Sequence, residues 1–174
     1  MRLLDWIPNI ISRWGPAMLL DRIDFDLLRL LRKNARLPNK DLAEKAGVAP
    51  STALERIRRL RESKAILGFH AEIAPEAIGI GLQALVAVRL QQHSRGLVEG
   101  FHAHLCELPE VLAFYHVAGA DDFLVHVGVR DSAHLREFAL AAFTERPEVV
   151  HIQTHLIFEF HRNTGLPSTI ARHD

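Results

Sequence analysis

The order of apolar segments after Leu82 is the feature that most constrains the fold. Four apolar, β-branched runs predict strands, at Leu82–Leu90, Val111–Ala118, Phe123–Val129 and Val149–Phe160. Amphipathic stretches predict a helix after the first strand, over Arg95–Leu108, and another before the last, from Asp131 to about Phe143. The order β-α-β-β-α-β is that of the ferredoxin-like arrangement, an antiparallel sheet with helices on one face. Nothing in this short chain is left to cover the other face, which predicts a dimer at least.

The charge of the chain is unevenly distributed. The 21 Lys and Arg residues balance the 21 Asp and Glu residues, which by itself argues against a nucleic-acid partner. However, residues 21–74 hold twelve cations against eight anions, whereas residues 75–174 hold seven against twelve. A net charge of +4 on the first block and −5 on the second predicts two domains with different partners.

The basic block has the pattern of three helices. Residues 21–33 place an apolar stripe on one helical face, formed by Ile23, Leu27, Leu30 and Leu31. A second, short helix spans roughly Asn39 to Ala46, with Leu42, Ala43 and Ala46 facing inward. Gly47 breaks it in the manner of a left-handed turn residue, and Pro50 opens a third helix that runs to about Ser63. Two short helices joined by a glycine turn predict a helix-turn-helix.

The third helix has the character of a DNA-reading helix. Ala53, Ile57 and Leu60 share one face and are expected to pack inward, which leaves a polar face rich in arginine. Short hydroxyls at the helix N-terminus can reach base edges or phosphates, and guanidinium groups can neutralise phosphates or bind guanine. The predicted DNA-binding residues are Lys40, Ser51, Thr52, Glu55, Arg56, Arg58 and Arg59. After this helix, alternation over residues 65–73 predicts a hairpin with Gly68 at its tip, the wing of a winged helix.

Both blocks contain family motifs. Leu20–Leu60 resembles the start of the Lrp/AsnC (leucine-responsive, feast/famine) transcriptional regulators, with Leu-Asp-x-Ile-Asp, Asn-x-Arg, Leu-Ala-x-x-x-Gly and Glu-Arg-Ile-x-x-Leu motifs. The second block is similar to that family's amino-acid-binding domain. Its signature Val-x-Gly-x-x-Asp-(aromatic)-Leu is present as Val117, Gly119, Asp122, Phe123 and Leu124. The resemblance covers about residues 20–165 and implies an α+β chain: a winged helix-turn-helix, then an ACT-like βαββαβ domain.

Three positions depart from the family pattern. Pro38 stands where the family has a serine that caps the second helix, so that Asn39 is expected to take over as the cap. Ala49 replaces another capping serine, which removes the side-chain cap of the third helix. Lys64 occupies the place of the glycine that normally follows the third helix.

The resemblance implies a small-molecule effector, usually an amino acid, that binds near the loop 119–122 at contacts between dimers. The predicted effector-binding residues are Gly119, Ala120, Asp122 and Thr154. Gly119 would expose backbone amides to a carboxylate, and Asp122 would pair with an α-ammonium group. The alternative is that residues 119–122 form an ordinary hairpin turn, since Gly and Asp are typical of turns.

Neither a metal site nor catalysis is predicted. The ten histidines after residue 74 lack metal-ligand spacing, and no cofactor motif or catalytic constellation occurs. The predicted chain is therefore a DNA-binding regulator and not an enzyme. One alternative is an enzyme of the sirohaem-decarboxylase type, which resembles the same architecture, but its His-Asn-Tyr-x-Arg-Glu-His stretch is absent. The other alternative is a ligand sensor without DNA binding, against which the basic third helix argues.

The predicted organisation has five parts: an extension over 1–20, the winged helix-turn-helix over 21–74, a linker over 75–81, the βαββαβ domain over 82–162 and a tail over 163–174. Residues 1–17 fit either an amphipathic arm or a translation start at Met18. The single Cys106 fits a reducing compartment, and the lack of an 18-residue apolar run predicts no membrane partner. With the resemblance to DNA-binding regulators, these features imply a cytoplasmic, nucleoid-associated protein. Double-stranded DNA, an effector, and a homodimer or octamer are the expected partners.

Overall fold

A computed structural model describes residues 20–92, 94–163 and 165. The described chain divides into two compact units. One contains residues 20–72 together with 161–163 and 165, and the other contains residues 73–160. The predicted arm over 1–17 and most of the predicted tail lie outside the described residues.

The first unit contains the three predicted helices, α1 (Arg22–Lys33), α2 (Asn39–Ala46) and α3 (Pro50–Glu62). Its core joins the inward faces of all three helices through Leu27, Leu31, Leu42, Ala43, Ala46 and Ala53. Asp21 caps α1 in a reciprocal capping box with Asp24, and basic residues in the last turn complement the helix dipole. The amphipathic stripes that define these helices are therefore the surfaces that hold them together.

The turn between α2 and α3 has the predicted backbone. Gly47 adopts the left-handed conformation with φ of 68°, and its amide donates to carbonyls in the last turn of α2. Pro50 stands at the first position of α3, and Ala49 before it provides no side-chain cap, as predicted. The prediction that Asn39 caps α2 is wrong. Its Nδ2 instead donates to the carbonyl of Pro50 at 2.8 Å, which ties the start of α2 to the start of α3.

The predicted wing is absent from the described residues. Residues 65–74 form no strand and make no cross-strand pairs with one another, and Leu67, Phe69 and Ile73 are exposed. A two-residue hairpin turn needs positive φ values, but Gly68 does not have one. The alternating pattern over 65–73 therefore produces irregular backbone instead of a hairpin.

The second unit is a four-stranded antiparallel sheet in the order β2-β3-β1-β4, with two helices. Its elements are β1 (Leu82–Leu90), α4 (Arg95–Glu107), β2 (Val111–His116), β3 (Phe123–Val129), α5 (Ser132–Ala139) and β4 (Val149–Leu156). A 3₁₀ turn over Pro75–Ile78 lies within the predicted linker. The ferredoxin-like topology is thus confirmed, and β1 and β3 have the predicted bounds.

Four elements of this unit end earlier than predicted. β2 ends at His116 instead of Ala118, α4 ends at Glu107 instead of Leu108, and the last strand and the last helix also stop short. The last strand stops at Leu156, not at Phe160: Leu156 lies opposite Ala84, and beyond it the amide of Ile157 donates one more bond, to the carbonyl of Gln83. The last helix changes into a π-helical turn over Leu140–Thr144. The Thr144 hydroxyl donates there to the carbonyl of Ala139 at 3.2 Å.

One face of the sheet packs on the helices and the other does not. Alternate residues of β1 and β3 form the core with Phe101, Leu105, Phe138 and Phe143. The intervening residues point to the opposite face, where Tyr115 lies opposite Leu124 and is well exposed. Both helices of this unit, α4 and α5, pack on the first face. Among the described residues, no helix has the length and apolarity needed to cross a membrane.

Replacing Lys64 with Gly is expected to stabilise the first unit. Lys64 has φ of 62°, a left-handed conformation that favours glycine. Relief of this strain, offset by the greater entropy of glycine in the unfolded chain, should raise the free energy of unfolding by about 0.5–1 kcal/mol in urea denaturation. Lys64→Ala is the matched control, since it removes the charge but retains the Cβ atom. An equal gain in both variants would contradict the assigned cause.

Candidate nucleic-acid interface and effector site

The outward face of α3 carries most of the predicted DNA-binding residues. Ala53 and Leu60 are fully buried and Ile57 is partly buried, as the helical pattern predicted. The opposite face exposes Ser51 and Thr52 in the first turn of the helix. Lys40 on α2 and Glu55, Arg58 and Arg59 on α3 are also exposed. The structure therefore presents hydroxyl and guanidinium donors on one helix.

Arg58 is held along the helix by two carboxylates. Its NH2 and Nε atoms donate to Glu55 at 2.6 and 3.0 Å, and NH1 pairs with Glu62. The hydrogen bond from Arg58 lowers the pKa of Glu55, and the two carboxylates raise the pKa of Arg58. All three side chains are more than half exposed, so these pairs are weak and can be exchanged for other partners.

Arg56 and Arg59 converge on one buried carboxylate of α1. Asp24 is fully buried and accepts from Arg56 NH1 and Arg59 NH2, each at 2.9 Å. Arg56 also donates to Asp21 at 2.6 Å and is 22% exposed, whereas Arg59 is 52% exposed. Arg56 is thus engaged inside the first unit, and its geometry favours a packing role over the predicted contact with DNA.

Asp24 was not among the predicted functional residues. Its signal was present in the sequence, because Asp24 precedes Leu27 by three residues and Leu31 by seven and so lies on the buried face of α1. An acidic residue on an apolar stripe indicates a partner elsewhere in the fold. The partners, 32 and 35 residues away, are not indicated by local periodicity.

The predicted effector loop joins β2 to β3 at the end of the hairpin. Gly119 has φ of 150°, which side chains rarely allow, and no atom lies within 4 Å of a Cβ placed there. Gly119 and Ala120 are exposed. The backbone at Gly119 and Ala120 is therefore open, and effector binding there stays a prediction.

Asp122 lies beneath this loop and not on its surface. Its side chain is fully buried, and its Oδ2 accepts from the amide of Leu90 at 2.7 Å. Its own amide donates to Val88, and its carbonyl accepts from Val117. This placement favours anchoring the loop to β1 over the predicted pairing with an ammonium group.

Thr154 lies on the other side of β1 from the loop. It is exposed on β4, opposite Val86, whereas the Asp122 amide bonds to Val88 two residues further along β1. The structure thus places the loop and Thr154 on the two sides of the same stretch of β1.

The histidines and the cysteine form separate local contacts. His102 and His104 point in different directions: His102 contacts the ring of Phe114, and His104 bonds to the carbonyl of Ala142. Cys106 is exposed. Within the described part of the chain, no group of three His, Cys, Asp or Glu residues could hold a metal ion.

Comparison with known families and proteins matches both units. The AsnC-type helix-turn-helix domain matches residues 20–61, and the Lrp/AsnC ligand binding domain matches residues 83–166. The HTH-type transcriptional regulator AldR of Mycolicibacterium smegmatis is 46% identical over 84% of this chain and 85% of its own length. The leucine-responsive regulatory protein of Haemophilus influenzae is 30% identical over 84% of this chain and 88% of its own.

Solved structures resemble the chain over the same extent. A transcriptional regulator of Neisseria meningitidis, determined as a complex with L-Met, aligns with a TM-score of 0.78 and 28% identity. The alignment covers 85% of this chain and 96% of that structure. The AsnC structure from E. coli, at 23% identity and a TM-score of 0.74, shares the fold.

The first unit is expected to lose stability in acid through Asp21. The hydrogen bond from Arg56 lowers the pKa of Asp21 below its ordinary 3.8. The stabilisation is therefore present above the unfolded pKa and is lost as the pH falls through the folded value. Asp21→Asn keeps an equally good helix cap without the charge, so its urea midpoint, followed by circular dichroism, should fall less between pH 6 and pH 3. Equal falls in both proteins would contradict this role of Asp21.

Proposed function

The chain belongs to the Lrp/AsnC family of transcriptional regulators, and on this premise we propose how its two units divide the work of a DNA-binding regulator. The first unit binds duplex DNA through α3. The second unit binds a small-molecule effector and assembles the oligomer. The observation that carries the proposal is that donors for DNA occupy one exposed helical face, directly after the glycine turn of a helix-turn-helix.

The proposed DNA contacts follow from the exposure of the α3 side chains. Ser51 and Thr52 at the helix N-terminus bind phosphate or base edges, where the helix dipole favours an anion. Arg58 exchanges its exposed carboxylate partners for a phosphate, and Arg59 reaches the bases. Lys40, exposed on α2, binds the backbone beside them, and Glu55 accepts from a base amino group. Arg56 does not contact DNA in this proposal, and it holds α3 through its bonds to Asp21 and Asp24.

The proposed effector is an amino acid that binds at the 119–122 loop. The relative from Neisseria meningitidis was solved with L-Met, and the second unit matches a ligand binding domain. The exposed backbone of Gly119 and Ala120 suits a carboxylate, because amide groups there are open to a ligand. Asp122 holds the loop in place through Leu90, and Thr154 forms the neighbouring wall.

The proposed assembly is a homodimer, with an octamer as the larger form. The sheet face opposite α4 and α5 supports this proposal, since it carries Tyr115, which is exposed, beside Leu124. Packing the faces of two copies would bury these side chains symmetrically. A regulator that binds DNA acts where the DNA is, so we place the protein in the cytoplasm, at the nucleoid.

The two other functions have less support. The relatives named above are transcriptional regulators, which does not favour an enzyme of the sirohaem-decarboxylase type. A ligand sensor without DNA binding is disfavoured by the match of residues 20–61 to a helix-turn-helix domain.

Removing Arg58 is expected to weaken binding to the DNA upstream of the protein's own gene. In a fluorescence-anisotropy titration over a range of salt concentrations, Arg58→Ala should lower affinity and reduce the salt slope by about one phosphate contact. Arg95→Ala is the matched control, because Arg95 forms a similar exposed pair with Glu99 on α4. Light scattering should show the same oligomer for all three proteins. Wild-type affinity and slope in Arg58→Ala would refute the proposed contact.

One amino acid among the twenty is expected to raise the melting temperature of the protein. The rise comes from binding to the folded state and should grow with the logarithm of ligand concentration. Gly119→Ala should abolish it, since φ of 150° strains any side chain and distorts the loop. Gly100→Ala, on the open surface of α4, should leave the ligand-induced rise unchanged. An undiminished rise in Gly119→Ala would place the effector elsewhere.

A further inference from the structure

We propose that Asp24 is a positioning residue for DNA recognition, and that it acts by orienting Arg59 toward the bases. This inference rests on the proposed role of Arg59 in DNA binding. Asp24 itself lies inside the first unit and cannot reach DNA, because its side chain is fully buried. Its influence must therefore pass through the guanidinium groups that it binds.

The two oxygens of Asp24 have different partners on α3. Oδ1 accepts from Arg56, and Oδ2 accepts from Arg59, each at 2.9 Å. Oδ2 also accepts from the amide of Asp21 at 3.2 Å, in the capping box of α1. The carboxylate is thus held by backbone as well as by side chains, so it is a fixed point against which an arginine can be oriented.

The two arginines differ in how many hydrogen-bond donors remain available to DNA. Arg56 is 22% exposed and uses NH1 for both Asp21 and Asp24. Arg59 is 52% exposed and contacts Asp24 through NH2 alone. A guanidinium has five donors, so Arg59 can retain its bond to Asp24 and still offer donors from its exposed edge. Arg56 neutralises the buried carboxylate, and Arg59 is the arginine that Asp24 orients toward solvent.

Orienting an arginine before DNA arrives benefits sequence recognition in particular. A free arginine on a helix samples many rotamers, and fixing one of them opposes binding. A phosphate accepts a cation from many directions, whereas the bidentate contact to guanine requires a defined plane and position. Loss of Asp24 should therefore weaken binding to the preferred sequence more than binding to DNA in general.

Arg58 provides an internal contrast on the same helix. Its partners Glu55 and Glu62 belong to α3 itself and are exposed, so they hold Arg58 only loosely. Asp24 belongs to a different helix and is buried, so it fixes Arg59 relative to the fold of the whole unit. Because of this difference, we assign Arg58 to contacts with phosphate and Arg59 to contacts with the bases.

The experiment compares preferred DNA with DNA in general. The wild-type protein first enriches duplexes from a random-sequence pool. The affinities of the wild type, Asp24→Asn, Arg59→Ala and the double variant are then measured for an enriched duplex and for the unselected pool. Asparagine retains the shape and one acceptor of Asp24 but removes the charge. The readout is the ratio of the two affinities, which a loss of folded protein would not change.

The proposal predicts how far each variant lowers the ratio of the two affinities. Arg59→Ala should lower the ratio roughly 10- to 100-fold, the range expected for a lost bidentate base contact. Asp24→Asn should lower it roughly 3- to 10-fold, as expected when one side chain must be ordered on binding. In the Arg59→Ala background, Asp24→Asn should have no further effect on the ratio. A second loss of equal size there, or an unchanged ratio in Asp24→Asn alone, would overturn the inference.

Arg59→Lys keeps the proposal testable if Asp24→Asn does not fold. A lysine ammonium can remain beside Asp24, but it lacks the planar fork that binds a carboxylate and a base at once. Its ratio should fall as far as that of Arg59→Ala, and a wild-type ratio would overturn the proposal. An unchanged ratio in Arg59→Ala would show that Arg59 does not contribute to sequence recognition. The proposed role of Asp24 would then be refuted as well. If the wild type enriches no sequence, the proposed function itself fails.

Discussion

A carboxylate buried in a protein requires partners, and the arrangement of the first unit follows from how Asp24 obtains them. Asp24 lies on the apolar face of α1, where an unpaired charge would cost several kcal/mol of folding free energy. Both of its guanidinium partners come from α3. The apolar contacts of the helices bring α3 against α1, but they tolerate small shifts and rotations, whereas two hydrogen bonds at 2.9 Å do not. The exposed face of α3 is therefore defined relative to the whole unit.

The second unit uses the same device at its loop. Asp122 is buried below Gly119 and Ala120, and its bond to the amide of Leu90 ties the β2–β3 turn to the end of β1. Leu90 lies at the irregularity in the pairing of β1 with β4, so a carboxylate there stabilises an otherwise less regular part of the sheet. In each unit, a buried aspartate fixes the segment that we propose to bind a ligand, and the segment itself is exposed.

Local sequence patterns predicted most helices and strands, but they did not predict contacts between residues that are distant in the sequence. The inward faces of α2 and α3, the turn at Gly47 and the bounds of β1 and β3 follow from periodicity and from the conformational preferences of Gly and Pro. The hairpin over 65–73 was wrong, because alternation describes a strand without specifying its partner. The last strand was predicted too long for a related reason, since an apolar run does not specify where pairing with β1 stops. The burial of Asp24 and Asp122 depends on residues 32 to 35 positions away, which no local pattern contains.

The three arginines of α3 that pair with carboxylates differ in how exposed their ion pairs are. Arg58, Arg59 and Arg56 on α3 all contact carboxylates, yet their side chains are 58%, 52% and 22% exposed. An exposed pair is weak and is easily exchanged for a phosphate, whereas a buried pair cannot be broken without leaving a charge unpaired. In the proposed interface, this gradient separates Arg58, whose partners can be exchanged, from Arg59, which we propose to be shared between Asp24 and DNA, and from Arg56, which is structural. Carboxylates close to a DNA-binding face therefore do more than reduce its charge, because they determine which arginines remain available and how each is oriented.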